Sequence, residues 1–173
     1  FLDARINLAR AYLQTRQYEK AITQFEQLLK VQPEHVTPNH GLAQALYGLG
    51  RFEEGLKAAE LAHRVAPEDK NVLFLLVRVQ LKVGQTNEAG EAARKLRTLF
   101  ADDAAKLHEL GLLLLAHGQY AGAVVTLQQA IERGGRDPDI LHSMGRGYGL
   151  SRKHTRAIQA FKALIESDPG SPD

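Results

Sequence analysis

The sequence predicts an all-α fold built from repeated helix pairs, and three observations predict it. The same order of apolar and small residues returns at a fixed offset of 34 residues, so that units beginning at Leu2, Val36, Lys70, Ala104 and Pro138 tile the chain without an insertion. Within each unit the apolar positions follow the i, i+3, i+4, i+7 spacing of one helix face, twice. Between the two helical stretches stands a short break, Gly50-Arg51, Gly84-Gln85 or Gly118-Gln119.

The elements follow in order as repeats 2–35, 36–69, 70–103, 104–137 and 138–171. The first carries Leu8-Ala9-Arg10-Ala11-Tyr12, then Tyr18, Ala21, Ile22 and Phe25, and Pro33 ends its second helix because proline lacks the N–H that would continue it. The second repeats this with Leu42-Ala43, Phe52 and Pro67, and the third with Leu76-Val77 and Ala89. The fourth shows the pattern most fully, with Leu107, Leu110, Gly111 and Leu114 before the break and Ala123, Leu127 and Ala130 after it. The fifth has Met144-Gly145, Tyr148, Ala157, Phe161 and Pro169. Arg16 and Arg152 stand where the other units place the glycine of the break, which predicts two less favourable turns. A small column, Ala9, Ala43, Val77, Gly111 and Gly145, is expected to face Ala21, Gly55, Ala89, Ala123 and Ala157 at close helix approach.

Composition narrows the function. The 22 Lys and Arg against 20 Asp and Glu leave a formal charge of +2, too small for bulk attraction to nucleic acid or an anionic membrane. No cysteine is present, which removes disulfides, thiolate nucleophiles and cysteine-ligated zinc. The apolar runs, Leu110 to Ala116 and Val72 to Val83 with its Arg78 and Lys82, fall short of the roughly 20 residues of a spanning helix. Opening at Phe1 with neither an initiator Met nor a leader, the chain is expected to be a piece of a larger protein, with 1–173 as one domain.

The period, the Leu-small-x-x-Tyr spacing, the Ala and Phe of the second helix and the closing proline together resemble the tetratricopeptide repeat over Leu2 to Ser171. The chain departs from that pattern where the usual early Trp is replaced by Arg5, Asn39, Leu73, Leu107 and Leu141. Ala101 and Gly135 stand for the closing proline, and Gln80 for the tyrosine. The resemblance implies a right-handed superhelical solenoid whose first helices line a concave, peptide-binding groove. Its floor would then comprise Arg10, His40, Tyr47, Phe74, Arg78, Leu81, Lys82, His108, Leu112, Leu115, His142 and Arg146, with Ile6 and Leu13 on the same face. Glu34, Glu68, Asp69, Asp102, Asp103, Asp137 and Asp139 gather at the junctions between repeats as an acidic rim. A basic and apolar floor suits a peptide with hydrophobic anchors and carboxylates. Of the residues that clamp a chaperone's C-terminal carboxylate in this family, only Arg78 has a match, so that ligand is not expected.

Other chemistry is thin. His108 and His142 lack a third metal ligand, and Gly145-Arg146-Gly147-Tyr148-Gly149 lies in a helix with no strand before it, unlike a phosphate loop. Ser143 beside His142 has no orienting acid. No catalytic residue, cofactor or metal is expected. Single-stranded RNA is disfavoured because Tyr47 and Phe74 are the only floor aromatics. A scaffold that binds a partner's peptide is the leading reading, and a substrate-recruiting arm of a larger enzyme such as a glycosyltransferase is the alternative. The apolar Ile158 and Ile165 near the end raise self-association through the last helix, since solenoid ends need polar caps.

Overall fold

The computed structural model describes residues 2–134 and 137–167, all in helices or the short turns between them. The described helices are α1 (Leu2–Gln14), α2 (Tyr18–Leu29), α3 (Val36–Gly48), α4 (Phe52–Val65), α5 (Lys70–Lys82), α6 (Thr86–Leu99), α7 (Ala104–Ala116), α8 (Tyr120–Gly134), α9 (Pro138–Leu150) and α10 (His154–Ser167). The odd-numbered helices start at the residues where the sequence period restarts. Contacts group the chain into two compact units, Phe1–Ala92 and Ala93–Asp173, divided inside α6. In unit 1, α2 packs on α1 and α3, and α4 on α3 and α5; in unit 2, α8 packs on α7 and α9, and α10 on α9. No described helix is long and apolar enough to cross a membrane.

Each turn inside a helix pair is closed in the same way. The backbone N–H groups of Gln17, Arg51, Gln85, Gln119 and Lys153 reach back to the carbonyls of Tyr12, Leu46, Gln80, Leu114 and Tyr148 at 2.8 to 2.9 Å. That bond needs the preceding residue in the left-handed region. Gly50, Gly84 and Gly118 adopt it at φ 77°, 82° and 73°, and Arg16 and Arg152 are forced into it at 57° and 59°. The junctions between pairs are closed by side chains instead. Asp69 accepts from Asn71 and Val72 N–H, Asp103 from Lys106, and Asp137 from Asp139 and Ile140, while His35 Nδ1 accepts from Thr37. These acids cap helix N-termini, where a carboxylate also meets the positive end of the helix dipole. The expected acidic rim is therefore in part a set of structural caps.

The cores are close-packed. Around Phe25 in unit 1 gather Ile6, Ala9, Ala21, Ile22, Leu28, Ala45 and Leu46, with Leu13 packed against them. Ile6 is 8% exposed, so it and Leu13 belong to packing and not to the expected floor. In unit 2 a Cβ on Gly111 would lie 2.6 Å from the Leu127 side chain, and one on Gly145 2.6 Å from the Phe161 ring. The expected contact between small columns is seen at Gly111, whose Cβ would also meet the Ala123 carbonyl, and at Gly55, whose Cβ would meet the Ala43 carbonyl, whereas Gly145 makes room for the Phe161 ring. The missing tryptophans are replaced by buried leucines at 73, 107 and 141, and by Asn39, whose Nδ2 donates to the carbonyls of Pro33 and His35. Gly135, standing for a closing proline, lies outside the described residues. Gly145 and Gly147 are buried inside α9 in contact range of Phe161, Val124 and Leu115, which gives the glycine cluster a packing role.

Candidate functional site

The first-helix positions expected to line a groove divide between the units. In unit 1, α1, α3 and α5 supply Arg10, His40, Tyr47, Phe74, Arg78, Leu81 and Lys82. Arg78 lies over Tyr47, its guanidinium carbon 4.5 Å from the ring centroid. Tyr47 packs edge-on to Phe52 at 5.3 Å, and the Lys82 ammonium sits 5.9 Å from the Phe52 ring. Each cation is held by an aromatic face while its N–H groups stay available in the guanidinium plane or around the ammonium. Phe52, which marks the second repeat in the sequence and opens α4 at the repeat position of Tyr18 and Tyr120, was not among the expected floor residues.

His40 is half-buried between these elements. Burial pushes its pKa below the ordinary value of 6.5, opposed by a hydrogen bond with the Asn71 backbone and by nearby Asp69, and assisted by Arg10. Desolvation therefore keeps His40 neutral to a more acidic pH than an exposed imidazole. Leu81 is a correction to the expected floor. It is 5% exposed on a helix buried nearly all round, with Val72, Leu73, Leu75, Leu76, Val77 and Val79 buried beside it. Arg10 and Lys82 are exposed, and Phe74 is half-buried.

In unit 2 the corresponding positions behave differently. His108 Nε2 lies 3.2 Å from Ser143 Oγ, whose own proton goes to the Asp139 carbonyl at 2.7 Å. The histidine must therefore donate through Nε2, which ties α7 to α9 and uses the imidazole structurally. Ser143 was weighed from sequence only as a nucleophile beside His142. Leu112 is 40% exposed, whereas a Cβ on Gly147 would come within 3.0 Å of Leu115, so Leu115 wedges between α7 and α9. His142 is exposed with its ring centroid 6.1 Å from Phe161, and Arg146 is exposed. Among the described residues no three His, Cys, Asp or Glu side chains gather as a metal site would require.

Comparison with known proteins bears on these faces. A family model described as tetratricopeptide repeat matches residues 6–67, 40–104 and 108–172. The chain is 24% identical over 160 residues to a tetratricopeptide repeat protein 30 homolog of Drosophila pseudoobscura pseudoobscura, covering 92% of this chain and 24% of that protein. It is 26% identical over 166 residues to intraflagellar transport protein 70A1 of Mus musculus, covering 92% of this chain and 25% of that protein. The chain thus spans about a quarter of the length of these relatives. Among solved structures, MamA matches with a TM-score of 0.79 at 15% identity, over 97% of this chain and 92% of that one. YrrB, described as a TPR protein with an unusual peptide-binding site, matches with a TM-score of 0.75 at 19% identity, over 96% and 86%. These structures share the fold of stacked helix pairs with this chain.

Proposed function

The chain belongs to the tetratricopeptide repeat family, a fold of protein-interaction scaffolds, and from that premise we propose that its first-helix face in unit 1 holds a peptide segment of a partner protein. The partner offers carboxylates to the cations and apolar side chains to Phe74 and Tyr47. The observation that carries this reading is the Arg78–Tyr47–Phe52–Lys82 cluster. A guanidinium stacked on a ring has lost little freedom still to be lost on binding, and its in-plane N–H groups fit both oxygens of a carboxylate. Arg10 adds a further exposed cation on the same unit. In unit 2, taken by itself, Leu112 and Arg146 are exposed at the corresponding first-helix positions.

This reading assigns the chain no chemical step. The hydroxyl proton of Ser143 is committed to a backbone carbonyl and His108 donates to the same oxygen, an arrangement opposite to that of an activated nucleophile. The test is fluorescence anisotropy with labelled peptides that pair glutamates with leucines. Arg78→Ala is expected to weaken binding by about tenfold, with Arg78→Lys recovering part of it, as loss of a well-placed arginine at an interface does. Affinity indifferent to both substitutions would overturn the reading.

A further inference from the structure

We propose a second binding site, on the second-helix side of unit 2, that takes an acidic peptide segment followed by an apolar side chain. Between α8 and α10 lies a cavity of about 610 Å³, a volume typical of ligand sites. Arg97, Arg133, Lys153 and Arg156 line it, against the single lining carboxylate Glu132. Glu132 Oε1 already accepts from Gln128 at 3.4 Å, and the Arg133–Asp102 approach of 3.7 Å is exposed and loose. The Arg156 guanidinium lies 5.9 Å from the Tyr148 ring, held in the manner of Arg78 in unit 1.

The lining follows α8 from Tyr120 to Arg133 and reaches the α9–α10 turn at Ser151 and Lys153, so the four cations of three helices and a turn share one cleft with one carboxylate. No folding role for this convergence is visible, and an anionic ligand is what it complements.

A second cavity of about 310 Å³ shares Gln128, Tyr148 and Arg156 with the first and is lined beyond them by Ile131, Leu141, Met144 and Ala160. This continuity favours a peptide over a free anion, which would use the basic end and leave the apolar trough empty. An extended segment places a carboxylate among the arginines and an aliphatic side chain in the trough. Gln128 and Gln129 line the basic cavity as well, Gln128 donating to Glu132 and Gln129 to the Arg97 carbonyl at 3.3 Å, and Gln128 also lines the trough.

The experiment is a titration of the isotope-labelled protein, followed residue by residue by NMR, with a peptide made of a short run of glutamates followed by two leucines. Saturable shifts are expected at Ser151, Lys153, Tyr148 and the side-chain amides of Gln128 and Gln129. Arg133→Glu and Arg156→Glu, both at exposed positions, are expected to weaken these shifts at least about tenfold each while leaving shifts at Arg10, Tyr47 and Arg78 in place. That last readout separates this site from the unit 1 face, since either can fail alone. Replacing the leucines with serine should weaken binding severalfold. The proposal is overturned if the signals of Gln128, Gln129, Tyr148, Ser151 and Lys153 do not move or survive both reversals. It is also overturned if inorganic phosphate or the serine peptide binds as well as the leucine peptide, or if oligouridylate binds more tightly.

Discussion

The first-helix faces of the two units use the same repeat positions for different ends. Arg78 and Leu112 are equivalent by the period; one is a cation stacked on Tyr47, the other a leucine 40% exposed. Leu81 and Leu115 are also equivalent, and one is 5% exposed in a helix buried on both faces while the other wedges against Gly147. His40 is desolvated beside Asn71, His108 is bonded to Ser143, and His142 stands exposed beside Phe161. A shared position in the repeat therefore fixes which way a side chain points and not whether a neighbour covers it. Covering is decided by what the next helix carries at that level, a glycine such as Gly147 or a tyrosine such as Tyr47.

The largest test of this contrast is inside α7. Leu110 and Leu114 are 0% and 2% exposed, so truncation of either to alanine should cost about 2 to 5 kcal/mol through lost burial and a residual cavity. Leu112→Ser should leave the denaturant midpoint nearly unchanged. Leu115→Ser should fall between the two, because it removes a contact with α9 without opening the centre of the core. Urea melts of the four variants give the order directly, and a Leu112 variant as unstable as the Leu114 variant would erase the difference between the faces.

Acid sharpens the contrast at His40. Its folded pKa is depressed, so the unfolded chain binds the proton more readily. Stability is then fully present above the ordinary value of 6.5 and declines as pH falls from there toward the lower folded value. Melts across mildly acidic buffers should show this loss, and His40→Gln should flatten it. Peptide affinity at unit 1 should gain nothing from His40 over the range in which it stays neutral.

Most of the fold was legible in the sequence because its signals are local and repeated. The helix starts, the turn glycines and the close pairing of small residues all follow from spacing within one unit. The site was legible only as a face. Asp69, Asp103 and Asp137 read as a rim because acidic side chains at repeat junctions attract attention as charge, whereas their bonds to N–H groups two or three residues on make them caps. Phe52 and Ser143 were overlooked as partners because their roles depend on contacts with Tyr47 and with His108, an element away or a whole repeat away. The basic cleft of unit 2 draws Arg97, Arg133, Lys153 and Arg156 from different helices and turns, and no spacing rule joins them.

The smallest effect concerns the turns, where the period is least forgiving and the chemistry simplest. Arg16 sits at φ 57° and Arg152 at φ 59°, in the slot that Gly50, Gly84 and Gly118 fill elsewhere. An L side chain there brings Cβ toward the following carbonyl oxygen, at a cost of roughly 1 kcal/mol that glycine avoids. Glycine in turn loses more freedom on folding, about 0.5 to 1 kcal/mol, so the net gain of Arg16→Gly or Arg152→Gly is expected to be a few tenths of a kcal/mol. The reverse substitution isolates the backbone term, because a Cβ on Gly50, Gly84 or Gly118 meets nothing within 4 Å. Gly50→Ala and Gly118→Ala should each destabilise by up to about 1 kcal/mol, seen as a drop of a few degrees in Tm. Opposite signs for the two kinds of substitution in both units would show that the turns obey one rule where the faces do not. A marked loss on Arg16→Gly would mean instead that this arginine's side chain supports the turn of α1 and α2 in a way its glycine counterparts do not need.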